Sequence, residues 1–464
     1  MNATPHPILY MPMEIASREL DSRLLLAALA IDRGYEVVLG QKWLIERNIK
    51  RMPPGLYLSK TLTQRDGLTM AKAKSLGYVV AAIDEELPGL RMSAKQLRWM
   101  AQDAIDAAEL LFVAGIDNAA AVAERFPGAA NRIIQTANPR WDLLRANLRD
   151  YYTAEVEDLK RRYGRFILIN TNLGFTNSEK GDAATIIREQ ERLGKLDMKN
   201  PDHADYVRSI IDMEQTNRAA MESLIRDLPA RFPDYRLILR PHPSESLDIW
   251  RKAAAGNPAI EVIREGPAVI WIMAADLLIH TNCTTGAEAL ALDRPAICLM
   301  PSDSRANDRY LSNQINPVVR SVEDALALSA QLLQPGAGLP YTDEMRAVFQ
   351  RAMSYEAVKL GAETILDTIV SWVKPAAMAA DDTAISAWRP NAGYRWRLRD
   401  KNVRGVLMPP LDAAEIRRKL DCFSRLLGIG TPAHVSAVGT KVLLLGNRSL
   451  PFGIRCRRAL ARIR

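Results

Sequence analysis

A chain of 464 residues, 48% apolar and 25% charged, is long enough for two or three domains with sizeable cores and has the balance of an ordinary folded protein. No run of about eighteen apolar residues occurs, so no membrane-spanning helix is expected. Four cysteines without close pairing (Cys283, Cys298, Cys422, Cys456) and five scattered histidines argue against a disulfide framework and a metal site, and for a reduced, cytoplasmic protein. The net charge of +8 is uneven: from Ala376 onward there are 17 Lys or Arg against 6 Asp or Glu, so the tail carries +11 and the preceding residues −3.

The chain enters a strand at Ile8-Leu9-Tyr10-Met11 without a basic leader, so no signal peptide is expected. A turn containing Glu14 and Arg18 leads into a helix over about 17–33, which Gly34 closes. Strands over 36–39, 56–58, 78–83, 110–114 and 132–135 then alternate with helical stretches. The strand at 78–83 runs directly into Asp84-Glu85-Glu86. After Asn138-Pro139-Arg140-Trp141 a polar helix crosses to a second series, with strands at 166–170, 237–239, 260–263, 277–279 and 296–299 and a long helix over about 203–231. Two last helices, 322–333 and 342–373, close it. Such alternation predicts an α/β protein of two Rossmann-like doubly wound parallel-sheet domains, 1–150 and 151–374, with a cleft between their strand ends and a basic extension over 375–464.

Two stretches carry the chemistry. Leu237–Leu239 ends in Arg240-Pro241-His242-Pro243, where the prolines stop the strand and present His242 at the carboxyl end of the sheet, the end at which open α/β sheets bind ligands. The strand ending in His280 is followed by Thr281-Asn282-Cys283-Thr284-Thr285-Gly286-Ala287-Glu288. Hydroxyls and a glycine at a helix start suit phosphate, and Glu288, one turn in, suits ribose hydroxyls. The competing reading makes Thr284 and Thr285 simple caps completed by Glu288. Three adjacent carboxylates, Asp84 to Glu86, should raise at least one pKa and suit a general base or nucleophile, or form a solvated turn.

The segments AIDEE (82–86), NPRWD (138–142), INTN (169–172), RPHPSE (240–245) and HTNCTTGAEAL (280–290) resemble the bacterial surface carbohydrate biosynthesis proteins, similar to glycosyltransferases of the two-domain GT-B fold. The resemblance covers about 6–370. More distantly, the acidic, His-Pro and paired-hydroxyl motifs are similar to bacterial sialyltransferases and Kdo transferases, which use CMP-activated sugars. The resemblance implies that His242, Thr284 and Thr285 hold the CMP phosphate, with Arg240, Asn282 and Gly286 in the same nucleotide site. It further implies that Glu288 binds the ribose and that Asp84, Glu85 and Glu86 do acid/base or nucleophilic work. Glu14, Arg18, Arg140, Asn170 and Asn172 are expected on the acceptor or substrate side. No metal or cofactor is expected beyond the CMP-sugar donor, because a single-phosphate leaving group needs none. In the relatives glycine often follows the acidic pair; here Leu87 follows Glu86, which leaves open which carboxylate reacts.

The tail suggests a membrane surface. Residues 412–427 read as a capped amphipathic helix with Ile416, Leu420, Phe423 and Leu427 on one side and basic residues flanking it, and the chain ends in five arginines over 455–464. Tyr394-Arg395-Trp396-Arg397 is one short aromatic and basic run without a nucleic-acid fold around it, so no nucleic-acid partner is expected. The expected function is transfer of Kdo or a related acidic ketose from CMP to a cell-surface or lipid-linked glycan, on the inner face of the membrane. A UDP-sugar 2-epimerase and a non-catalytic assembly scaffold are the rivals.

Overall fold

The computed structural model describes residues 6–91, 93–192, 196–372, 379–380 and 408–447. They form two compact units: one holds 6–88, 93–143 and the described residues from 356 onward, the other 89–91 and 144–355. In the first unit β1 (His6–Met13), β2 (Glu36–Gln41), β3 (Leu56–Ser59), β4 (Val79–Ile83), β5 (Leu110–Ala114) and β6 (Ile133–Thr136) lie parallel in the order β2-β1-β3-β4-β5-β6. In the second, β7 (Phe166–Asn170), β8 (Arg236–Leu239), β9 (Ile260–Val262), β10 (Leu277–His280), β11 (Ala296–Leu299) and β12 (Val318–Val319) lie parallel in the order β12-β11-β10-β7-β8-β9. The α/β, doubly wound reading therefore holds in both units.

The interior strands are apolar at nearly every position because helices cover both faces of a parallel sheet; β3, β5, β7, β10 and β11 are buried throughout. The core of the second unit forms where Ile167, Ile169, Leu237, Leu239, Leu277 and Ile279 meet Leu224, Leu228 and Trp250. In each sheet the chain order reverses beside the first strand, between β1 and β3 and between β7 and β10. Strand ends at such a reversal leave a crevice, because the following loops diverge to opposite sides.

Two expectations are corrected. The single closing helix over 342–373 is two helices, Asp343–Met353 and Gly361–Trp372. Ser354 breaks it in a left-handed conformation (φ 49°). The second helix belongs to the first unit, where the buried Asp142 carboxylate accepts from Gly361 N–H and Ala362 N–H at 2.8 Å each, satisfying donors the helix start leaves open. A Cβ at residue 361 would stand 2.1 Å from the Ala137 carbonyl oxygen, so only glycine admits this approach.

The described part of the tail is likewise no separate extension. β13 (Ala379–Ala380) pairs with β1, and the hairpin of β14 (His434–Gly439) and β15 (Val442–Gly446) extends the first sheet antiparallel to β2. Gly40 permits this docking, since a Cβ there would meet the Lys441 carbonyl oxygen at 2.3 Å. The helix Ala413–Leu427 forms with Asp412 as its N-cap, but Ile416, Leu420 and Phe423 are buried within the first unit, packed beside the helix Ala16–Asp32. Its apolar stripe is thus protein core and not a lipid-facing surface. The Tyr394–Arg397 run and the terminal arginines lie outside the described residues. Among the described residues no helix is long and apolar enough to cross a membrane.

Truncating this stripe distinguishes core from lipid surface. Phe423→Ala should lower the unfolding free energy by about 3–5 kcal/mol, read from urea denaturation; a lipid-facing side chain would leave it unchanged in solution.

Candidate functional site

In the second unit, three loops at the carboxyl ends of β8, β7 and β10 are tied together. β8 runs into Arg240-Pro241-His242, and Glu245 folds back beneath the loop. Its carboxylate accepts from His242 N–H (3.1 Å), Thr171 Oγ1 (2.8 Å), Asn177 Nδ2 (3.2 Å) and Trp250 Nε1 (3.1 Å). Burial raises its pKa despite these donors. The Thr171 bond joins the β8 loop to the β7 loop, and Asn172 Nδ2 joins the β7 loop to the β10 turn by donating to the Asn282 carbonyl at 2.8 Å. His242 Nδ1 accepts the Ser244 N–H at 3.2 Å and lies 2.7 Å from Ser244 Oγ, which places the proton of the neutral ring on Nε2.

The β10 turn is shaped from below. Asn282 is left-handed (φ 47°) and fully buried; its Oδ1 accepts from Asn313 Nδ2 at 2.6 Å and its Nδ2 faces Met213 Sδ at 3.2 Å. Asn282 therefore holds the turn instead of reaching a ligand. Thr284 stands at the N-cap position of the helix Thr285–Ala291 but makes no side-chain cap bond, so the capping alternative is not what the fold uses. Gly286 lies against the His280 ring, where a Cβ would stand 2.2 Å from Nε2; burial pushes that ring down to about pKa 3, so it is neutral. Arg240 is buried and turned inward, donating to the Gly266 carbonyl, with its pKa brought down to about 10 by burial against the pull of Glu288. Asn170 is buried at the end of β7. Asn170 and Asn172 thus lie among the loops that follow β7, β8 and β10, in a different unit from Glu14 and Arg18. Glu214 braces this end by accepting from Phe175 N–H and Thr176 N–H, and burial lifts its pKa to about 7.

In the first unit the three carboxylates after β4 have three different environments. Asp84 is buried and accepts from Glu86 N–H (2.9 Å), Leu87 N–H (3.0 Å) and Trp99 Nε1 (3.3 Å). Burial first, then the charge of Glu86, push it up to about pKa 7. Glu85 is buried in an ion pair with the fully buried Arg23 (3.1 Å), with Arg140 at 3.9 Å and Asn138 Nδ2 at 3.4 Å. Glu86 is the exposed member, with Arg18 at 4.0 Å, while Arg18 also donates to the Glu85 carbonyl. Arg140 accordingly serves the acidic turn.

Glu14, Lys42 and Lys60 follow β1, β2 and β3. Lys60 Nζ reaches Glu14 (2.9 Å) and Glu19 (2.8 Å), and Lys42 Nζ reaches Glu14 (3.3 Å), Asp66 and Glu46 (3.9 Å). Burial alone would raise Glu14, but Lys60 and Lys42 outweigh it and hold the carboxyl at about pKa 2. Glu46, deeper in the network, is lifted by burial to about 7. Sequence reading did not single out Arg23, Lys42, Lys60, Glu245 or His280. Glu245 and His280 lie inside the quoted motifs; the other three carry no local mark. Among the described residues no group of three or more His, Cys, Asp or Glu is placed to hold a metal ion.

No family model matches the chain, and no curated protein does. Solved structures do match. The Methanocaldococcus jannaschii UDP-GlcNAc 2-epimerase in complex with UDP-GlcNAc and UDP is 12% identical with a TM-score of 0.45, the match covering 79% of this chain and 100% of that one. The S. aureus MnaA complex with UDP is 12% identical with a TM-score of 0.49, covering 82% and 100%. The wall teichoic acid polymerase TagF, in a variant form, is 13% identical with a TM-score of 0.49, covering 80% and 90%.

Two outcomes test the acidic turn. Asp84 keeps its proton to about pH 7 when folded but releases it near 3.8 when unfolded. The folded state therefore binds more protons in that window, and stability falls as pH rises through it. Asp84→Asn should flatten the stability slope between about pH 5 and about pH 7 by roughly 3 kcal/mol, measured by urea unfolding of both proteins. Arg23→Met, which leaves Glu85 buried without its nearest cation, should cost about 3–5 kcal/mol, and adding Glu85→Leu should recover most of it.

Proposed function

We propose that this protein is a GT-B-type glycosyltransferase that moves a sugar, a Kdo-like acidic ketose, from its CMP ester to a cell-surface glycan. The observation that carries the reading is the trio of loops in the second unit, bonded to one another through Thr171–Glu245 and Asn172–Asn282 at the strand ends where the sheet order reverses. On this reading the His242 Nε2–H and the hydroxyls of Thr284 and Thr285 hold the phosphate, and Glu288 takes the ribose. Arg240, whose guanidinium turns inward to Gly266, supplies charge from beneath without contacting the ligand.

In the reaction the bond between the anomeric carbon and the phosphate oxygen breaks, and its electron pair leaves with CMP. The acceptor hydroxyl oxygen bonds to that carbon and passes its proton to a carboxylate, which also stabilises the oxocarbenium-like state. Within the acidic turn Glu86 is the exposed carboxylate, while Asp84 is occupied in holding the turn and Glu85 is paired with Arg23.

Calorimetric titration of the wild type and His242→Ala with CMP, UMP and UDP tests the reading. CMP should bind best, and His242→Ala should weaken it about tenfold or more. Preference for UDP, or no nucleotide binding, overturns the donor. Sugar interconversion without an acceptor replaces transfer by 2-epimerisation.

A further inference from the structure

Gly89, Leu90 and Arg91 follow the acidic turn in sequence, yet by their contacts they belong to the second unit. They form a strap laid on the segment after β11. Leu90 pairs with Tyr310 as an isolated antiparallel bridge, flanked by Arg91 N–H to the Arg309 carbonyl and Leu311 N–H to the Gly89 carbonyl, both 3.2 Å. Arg91 Nη1 adds a bond to Gln314 Oε1 at 2.9 Å. The bridge presses Gly89 against Thr284. A Cβ at residue 89 would stand 2.8 Å from Thr284 Cγ2 and 3.1 Å from its Cβ, and the backbone there has φ +88°, so glycine is required on two independent grounds.

The same segment supports the other end of the turn, since Asn313 holds Asn282. Thr284 itself makes no cap bond that would orient its side chain. A β-branched side chain has few rotamers, and a wall on its methyl side selects among them.

We propose that the Gly89–Arg91 strap holds Thr284 in the rotamer that presents its hydroxyl to the phosphate of a bound nucleotide, making Gly89 a positioning residue for that ligand. This rests on the phosphate reading of Thr284 and Thr285. Substitution at Gly89 should therefore affect the phosphate and spare the nucleoside.

The test is calorimetric titration of the full chain with CMP, UDP, cytidine and uridine. Gly89→Ala should bind the wild type's preferred nucleotide about tenfold more weakly, with nucleoside affinity unchanged. Gly89→Ala/Thr284→Ser, which removes the opposing methyl and keeps the hydroxyl, should regain much of the loss. Should Gly89→Ala fail to fold, Arg91→Ala, which releases the strap from Gln314, should give the same phosphate-selective weakening. Wild-type nucleotide affinity in the folded strap variant, equal loss of nucleotide and nucleoside, or no recovery in the double variant overturns the strap's role. A wild type that binds neither CMP nor UDP overturns the phosphate reading itself, a result distinct from an unaltered variant beside a wild type that binds.

Discussion

One buried carboxylate organises the loops at the carboxyl ends of β7 and β8. Glu245 has no solvent exposure, so its charge and lone pairs must be satisfied by the protein, and its donors include Thr171, Asn177, His242 and Trp250. These donors lie on separate loops and a helix. Satisfying one side chain therefore fixes the backbone of the His-Pro loop against the loop after β7. The β10 turn is added through Asn172, and Asn313 supports that turn from beneath. A half-satisfied network would cost more than an apolar one, so the loops hold together as a set.

The first unit handles charge differently. Its strand ends carry both signs: Glu14, Glu19, Glu46 and Asp66 surround Lys42 and Lys60. Each lysine is buried and meets more than one carboxylate. Glu14, the most exposed of the four carboxylates, is held ionised between the two ammonium groups. The acidic turn follows the same rule, with Arg23 buried against Glu85 and backbone N–H groups satisfying Asp84. Like charges adjacent in sequence are thus separated by environment: one near neutrality in a buried turn, one ion-paired, one exposed. That separation gives three neighbouring carboxylates three different environments.

Much of the candidate site was legible because strand ends leave local marks. The prolines around His242 and the hydroxyl run after His280 identify loops that the fold does bring together. Asn282 and Arg240 stand where ligand contacts are expected, but their side chains turn inward. An amide or guanidinium after a strand has the same sequence appearance whether it faces a ligand or braces a turn. Arg23, Lys42 and Lys60 were illegible for a related reason. Each lies on or beside a helix or strand end as an ordinary charged residue, and only the approach of a distant carboxylate gives it a function.

For the fold, the sequence determined the parallel strands up to β11, most helices and their alternation, since apolar period and glycine or proline punctuation act within a few residues; β12 and the added strands β13, β14 and β15 were not marked locally. It determined the helix over 413–427 and its N-cap. Whether that helix's apolar stripe met lipid or protein was decided only by tertiary structure, because amphipathicity specifies a buried face without specifying what buries it. The division of the chain was also decided at that level. The helix Gly361–Trp372 continues the periodicity of its predecessor, but Asp142, some 220 residues away in sequence, caps it and draws it into the first unit. Local preference sets which elements form; long-range hydrogen bonds and close backbone approach set where they dock.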